Sequence, residues 1–307
     1  MSENKSNSIT TLEDFLEYLN KVKNKHITKS IVLKDIIFKD SIVFEEYTFK
    51  ENISFNRCTF EKYVSFKETT FEDEVKFTNS VFKDDVDFSE VEFKADTYFN
   101  GVKAYKNIIF ENAECVSNSI DFSYMKVYRI NLFKVNFQFA HFIQMQFFDT
   151  LAQEQSEPSK LNFINKDSAR VIKATLDTQK NFKESHKYFA VEQELYLDEL
   201  EKKKLSFKSF PLKLDKFVSN FGTQWKRVLY ILAIFTFVSN MFVTCIYGGS
   251  IFDVNRMIEL VVPLKIFAIK SENDLGVSIW LLTLIRIISA YLFWQIVRAF
   301  RLDTKRF

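Results

Sequence analysis

The stretch ISFNRCTFEKYVSFKETTF, residues 53–71, places phenylalanine at Phe55, Phe60, Phe66 and Phe71, so the spacing runs five, six, five. The count extends both ways: Phe38, Phe44 and Phe49 precede it, and Phe77, Phe82, Phe88, Phe93 and Phe99 follow. An eleven-residue unit holding two phenylalanines therefore repeats. One such unit cannot bury its own apolar face, and only stacked units make a core, so the period predicts a solenoid. An eleven-residue period also suits a right-handed helical supercoil. The residues between the phenylalanines decide against it. Ile42, Ile53, Val64, Val75 and Val86 each stand two positions before a phenylalanine. Residues two apart share a face on a strand and lie on nearly opposite faces of a helix. The abundance of Phe, Val, Ile and Thr also fits a pleated surface, so the units are short strands.

From Ile120 the register tightens to five, and IDFSY MKVYR INLFK VNFQF AHFIQ MQFFD carries Phe122, Val127, Leu132, Phe137, Phe142 and Phe147 at its centres. With Asp121, Asn131 and Asn136 in the polar position and Ala140 as the small residue before one centre, the stretch resembles the pentapeptide-repeat proteins. The five-six alternation upstream is similar to a phenylalanine-rich subtype of that family. The resemblance covers roughly residues 31–149 and implies a right-handed quadrilateral β-helix with the central residues stacked inside. One departure stands out: where the family has a small residue two before the centre, this chain has Ile, Val, Tyr47 or Thr69. A sixth residue in alternate sides widens the coil to twenty-two residues per turn, which puts Phe55 under Phe77 and Phe77 under Phe99. The centres from Leu33 to Phe147 make about five and a half coils, a rod of about 26 Å at one strand spacing per coil. Around Cys115 to Asp121 the register slips.

The 307 residues carry a net charge of +2, unevenly spread. Residues 31–149 hold twenty acidic and fourteen basic side chains, a net of −6, which leaves +8 elsewhere. Cys58, Cys115 and Cys245 have no metal-ligand spacing and cannot pair evenly, which fits a reducing compartment. The N-terminal residues lack the apolar core of a signal peptide. Thr10 with Glu13 suits a helix N-cap, and Leu12, Phe15, Leu16 and Leu19 fall on one stripe. Residues 1–30 are therefore expected as a capping helix over the open end of the solenoid. After the repeats, Pro158 marks a linker, and helices are expected over about 167–179 and 182–204, making 150–227 a helical linker region. Carboxylates such as Glu192 and Glu194 point to different faces at that spacing and make a solvated surface.

Residues 228–307 read as a membrane region. Residues 228–247 contain no charge and 277–297 contain only Arg286, and each is long enough to span a bilayer core. Lys208, Lys213, Lys216, Lys226 and Arg227 precede the first span, and Arg298, Arg301, Lys305 and Arg306 follow the second. The intervening segment holds fewer basic residues, so both termini belong in the cytoplasm. Trp225, Tyr247 and Trp280 fall near the interfaces. Residues 257–269, MIELVVPLKIFAI, are too short to cross and are interrupted by Pro263, so they lie in the interface or re-enter the membrane. Arg286 is an intramembrane charge and hence a candidate site, with Asn240 and Glu259 as partners. The other reading is that its long stem snorkels to the interface.

With five glycines, none in a phosphate-cradling arrangement, nucleotide chemistry has no home in the chain. His26, His141 and His186 lie far apart, and no serine sits in a nucleophile elbow. The expectation is a non-enzymatic protein without metal or cofactor. Its leading reading is a multi-pass protein of the bacterial inner membrane whose cytoplasmic rod is a protein-binding scaffold. Glu72, Asp73, Glu74, Asp84, Asp85 and Asp87 form its strongest acidic stretch, suited to a basic partner. The expected partners are membrane lipid, an unknown protein and further copies of the chain, with no direct nucleic-acid binding. An oligomeric two-span pore is the alternative, although no potassium-filter sequence of the Thr-Val-Gly-Tyr-Gly kind is present. Soluble pentapeptide-repeat proteins that mimic DNA and bind topoisomerases suggest a third, ranked lower because the excess charge is small. The topology has a direct test: from outside intact cells, a reporter cysteine at Ser271 reacts and one at Lys305 does not. The reverse pattern would overturn the placement of the termini.

Overall fold

The computed structural model describes residues 8–22, 24–148, 154–155, 157–204, 206–248, 257–258 and 279–304. The chain divides into two compact units, Met1–Leu195 and Tyr196–Phe307. Among the described residues there are six α-helices: α1 (Leu12–Lys21), α2 (Lys166–Thr178), α3 (Phe182–Lys202), α4 (Ser206–Ser219), α5 (Trp225–Tyr247) and α6 (Ile279–Thr304).

The first unit is a β-solenoid of about five turns built from short parallel strands. Its strands form two sheets, each supplying two of the four sides. Pairing is offset by twenty-two residues, as in Ile31↔Ile53, Ile53↔Val75 and Val75↔Thr97 on one side, or Phe49↔Phe71 and Phe71↔Phe93 on the next. A parallel ladder with a constant offset places like residues above one another. Phe55, Phe77 and Phe99 accordingly form one interior column, with ring centroids 5.4 and 5.3 Å apart. Phe38, Phe60 and Phe82 stack at 4.8 Å per step in a second column, and Phe66, Phe88 and Phe110 at 5.1 Å in a third. Columns on opposite sides meet edge to face across the interior, as at Phe77–Phe88, 5.4 Å and 76°. Each ring thus uses both geometries that aromatic quadrupoles favour.

The five-six count follows from two kinds of corner. Asp35, Glu46, Arg57, Glu68, Asn79, Glu90, Gly101 and Asn112 recur every eleven residues with φ between 55° and 71°. Each is the third residue of a tight turn, which at Glu46, Glu68, Asn79, Gly101 and Asn112 is closed by a hydrogen bond such as Tyr47 N to Phe44 O (3.2 Å) or Ser80 N to Phe77 O (3.0 Å). A positive φ at that position is what a type II turn requires. No β-branched residue occupies any of these corners, consistent with the steric cost there. The other corner, exemplified by Lys39-Asp40-Ser41, has no left-handed residue and takes one residue more. Beyond Phe122 the left-handed residues Tyr124, Lys134 and Gln144 come every ten, and single strands such as Lys126–Asn131 run through the other corner. The slip expected near Cys115 is a register shift in the pairing between Cys115 and Ser119, and a second shift lies between Ala104 and Asn107. Both have the form of a β-bulge.

The extra residue makes room for the bulky aliphatics. Ile53, Val64, Val75, Val86 and Ile108 are all buried. They alternate with smaller buried residues on the five-residue sides, where Cys58, Thr69 and Ser80 each donate to a carbonyl of the adjacent coil. Cys58 Sγ reaches Leu33 O (3.6 Å), Thr69 Oγ1 reaches Phe44 O (2.6 Å) and Ser80 Oγ reaches Phe55 O. The polar atoms are thus satisfied inside an otherwise apolar core.

Both ends are closed. Ser8–Ile9 pairs with Ser30–Ile31, and His26–Ile27 pairs with Thr48–Phe49, so α1 occupies the place of the two missing sides between them. Phe15 plugs the end, fully buried, at 6.5, 6.0 and 6.2 Å from Phe38, Phe44 and Phe55. The N-cap is Thr11 rather than Thr10, its side chain accepting from Asp14 N (3.1 Å), and of the expected stripe Leu16 is exposed. At the other end, α2, the first part of α3 and the segment before them supply what a further coil would. Ser168 Oγ accepts from Leu132 N (2.7 Å), and Asn162 Nδ2 donates to Tyr128 O and Phe148 O (2.9 and 3.0 Å). Phe163 and Tyr188 close over Phe147 at 5.5 and 6.3 Å.

In the second unit, α5 and α6 contain stretches, Trp225–Ile246 and Leu281–Phe300, that are long and apolar enough to cross a membrane by length and composition. They pack through Val243 with Ile285 and through Val228 with Leu292. The expected interfacial or re-entrant segment, with Glu259 and Pro263, lies outside the described residues but for Met257 and Ile258.

Phe77→Ala removes a ring from the middle of a column and is expected to cost about 3–5 kcal/mol, measured as a lowered denaturation midpoint of the first unit in the full-length protein. An unchanged midpoint would contradict the stacked interior. Burial pushes the Cys58 thiol up to about 11, so at neutral pH it stays protonated and unreactive. A thiol reagent should label exposed Cys245 in the folded protein, and Cys58 and Cys115 only after unfolding.

Candidate functional site

The interior of the solenoid is filled with rings, so only its outer side chains are accessible. The six acidic residues singled out in the sequence do not form one patch. Glu72, Asp73 and Glu74 occupy the corner between the Phe71 and Phe77 sides, both in the first sheet. Asp84 and Asp85 occupy the corner between the Phe82 and Phe88 sides, both in the second sheet, with Asp87 on the strand that follows. The two corners are diagonally opposed because two sides separate them.

Their electrostatics also differ. Asp84 accepts from Lys106 Nζ (2.6 Å) one coil above and from the Asp85 N–H (2.8 Å). The Lys106 ammonium, aided by that N–H, holds the Asp84 carboxyl below its usual range. Asp85 accepts from Asn107 N and Nδ2 (2.9 and 3.0 Å), and Asp87 caps Ser89 N (2.8 Å). Lys83 pairs with Glu61 at the same corner (2.9 Å). These carboxylates are spent on the rungs of the rod itself. At the first corner Glu74 pairs with Lys76 (2.5 Å), while Glu72 and Asp73 are exposed, with Glu51 exposed one coil below. Elsewhere similar rungs tie neighbouring coils: Arg57 grips Asp35 through two 2.7 Å hydrogen bonds and draws its carboxyl down.

In the second unit, polar residues line the contact between two apolar helices. Arg286 is 6 % exposed and Asn240 is fully buried, with Ser239 and Ser289 buried beside them in the chain. Both sequence-selected residues therefore face the helix pair. Sequence reasoning missed a second cluster, centred on Asp215 of α4. Its carboxylate accepts from Gln295 Nε2 (3.0 Å), Arg298 Nη1 (2.9 Å) and Ser219 Oγ (2.9 Å). Gln295 also donates to Tyr291 Oη (2.8 Å). The signal was the lone acid in a lysine-bearing segment, Asp215 among Lys208, Lys213 and Lys216.

Among the described residues, no group of three or more His, Cys, Asp or Glu could hold a metal ion. His141 lies on a cleft of about 350 Å³ between the last coil and α2. There Gln179 Nε2 donates to Ala140 O (3.0 Å) and His141 Nδ1 (3.3 Å), so the polar atoms at that edge satisfy one another.

The repeating geometry accords with the one similarity found. No curated protein and no solved structure matches the chain. A family model described as pentapeptide repeats, in nine copies, matches residues 33–81, within the stretch that keeps the five-six count.

Proposed function

We propose that the protein is a membrane-anchored, non-enzymatic scaffold. Its solenoid binds a protein partner in the bacterial cytoplasm, and α5 and α6 hold it in the inner membrane with both termini inside. The observation that carries this reading is the contrast between the two corners. One carries carboxylates committed to neighbouring coils; the other presents Glu51, Glu72 and Asp73 to solvent on a hydrogen-bonded frame closed at both ends. A rigid frame loses little conformational entropy when a basic partner docks. Complementary charge speeds and orients that encounter.

The intramembrane polar residues support the pore alternative less well. A side chain lining a pore between subunits is exposed on the isolated subunit, whereas Arg286 and Asn240 are buried in a single copy. They suit a tie between the two spans, where polar side chains act as glue.

A photo-crosslinking residue at Glu72 in native membranes tests the scaffold. The expected result is a discrete protein adduct that is lost with Glu51→Lys and Asp73→Lys and absent when the probe sits at Lys39 on the opposite corner. No adduct from either corner, together with ion flux through the purified protein in vesicles that Arg286→Leu abolishes, would replace the scaffold with the pore.

A further inference from the structure

The segment before the first span was read only as a basic flank. In the structure it is α4, a helix whose two faces differ sharply. One face packs within the second unit: Val218 and Ser219 are buried, Val218 clusters with Val228 of α5 and Leu292 of α6, and Asp215 pairs with Arg298. The other face carries Phe207, Phe210, Leu214 and Phe217, spaced three, four and three residues, which aligns them on one helical stripe. Phe207 is 93 % exposed, Phe210 66 % and Phe217 62 %. Three phenylalanines in water on one short helix form an apolar patch that needs a cover.

We propose that this face is covered by the bilayer itself: α4 lies in the membrane interface, its phenylalanines in the acyl boundary and its lysines among anionic headgroups. The inference rests on the membrane-anchored reading. Three observations select lipid over a second protein. The helix is tied by its opposite face to the ends of both apolar helices, so it cannot leave their level. Those ends themselves expose apolar side chains, among them Leu229, Tyr230, Val297 and Phe300. The helix and its continuation are rich in cations: Lys208, Lys213 and Lys216 on the helix and Lys226 and Arg227 just beyond it, with Lys213 paired to Glu201 of α3 (2.9 Å) and the one acid on the helix turned inward to Arg298. Arg227 places its guanidinium over the Phe217 ring, Cζ 5.6 Å from the centroid, so its charge sits at the edge of the apolar face.

An amphipathic helix with this division settles about 5–10 Å into the boundary between headgroups and chains. Pro211 does not oppose this, because it sits in the exposed part of the second turn and the helix continues to Ser219. The Asp215 cluster then acquires a purpose. It holds a short helix, one that would not persist alone in water, parallel to the surface where its aromatic face is useful.

Site-directed nitroxides on the full-length protein test the placement. Cys245→Ser removes the exposed thiol, and buried Cys58 and Cys115 stay unlabelled. Labels go singly to Phe210→Cys, Phe217→Cys, Lys213→Cys and, as a reference in the first span, Ile234→Cys, in vesicles of mixed phosphatidylglycerol and phosphatidylcholine. The expected result is that positions 210 and 217 collide preferentially with oxygen, as position 234 does, while position 213 favours a water-soluble nickel chelate. In pure phosphatidylcholine the preference at 210 and 217 should shift toward the chelate. Nickel accessibility at 210 and 217 beside oxygen accessibility at 234 would overturn the interfacial helix while leaving the anchor intact. Spin–spin broadening at 210 would show a second copy covering the face and overturn lipid as its occupant. No shift between the two lipid mixtures would overturn the role of anionic headgroups. Nickel accessibility at 234 itself would remove the membrane reading, and this inference with it.

Discussion

The backbone ladder is the constraint on which the first unit depends. Every coil of a parallel solenoid must hydrogen-bond to the coil on each side, as Phe44 N does to Ser65 O and Phe66 N to Asp87 O, both at 2.8 Å. That repeat fixes the separation of successive coils at one strand spacing, and side chains at equivalent positions have no choice but to stack. Phenylalanine is well suited to the constraint, because flat rings stack with offset at nearly the same distance, and the observed centroids are 4.8–5.5 Å apart along the columns. Hydrogen bonding and packing therefore ask for the same period. Agreement of that kind between local and long-range demands is what gives a sequence one dominant structure.

The same ladder creates the problem of the ends. An open coil presents unpaired N–H and C=O groups together with the apolar face of its rings. The two ends solve it differently because their chains arrive differently. At the N-terminal end a ten-residue helix stands in for two sides and inserts Phe15 among the first three rings. At the C-terminal end side chains replace backbone: a serine hydroxyl for the carbonyl Leu132 N would have met, and asparagine and glutamine amides for the N–H groups that Tyr128, Phe148 and Ala140 would have met. Burying Asn162 is tolerable because its amide finds two carbonyls; a leucine there would leave both without a donor.

Sequence legibility tracked periodicity. Columns such as Phe55–Phe77–Phe99 could be read directly, since eleven repeated eight times leaves little freedom. The left-handed corners could not, because they are occupied by Glu, Arg and Asn rather than the glycine that would announce them; Gly101 is the one exception. The acidic residues from Glu72 to Asp87 looked like one stretch because they are close in sequence. In a four-sided coil, however, residues eleven apart face opposite ways, and proximity in space follows the interval of twenty-two. The family match over residues 33–81 also lies within the unbroken five-six repeats, and of the two register shifts beyond Ala104 the one near Cys115 was legible in the spacing while the one between Ala104 and Asn107 was not. Helix α4 is hard to read for a different reason: Pro211 interrupts its pattern, and a proline at that place usually signals a break.

In the second unit the polar groups are few and placed where they do most. If α5 and α6 cross a bilayer as proposed, their packing gains nothing from the hydrophobic effect, so close fit and hydrogen bonds must supply specificity. Ser239, Asn240, Arg286 and Ser289 lie buried between α5 and α6, and Gln295 with Arg298 continues the series toward the end of α6, where Asp215 receives both. A carboxylate that is only partly exposed is tolerable there because it has a cation and two neutral donors, the condition under which a desolvated ion pair ceases to be a liability. Replacing Asp215 by an isosteric apolar residue would leave Arg298 without its carboxylate. The pair thus ties α4 to α6 beside the apolar cluster of Val218, Val228 and Leu292.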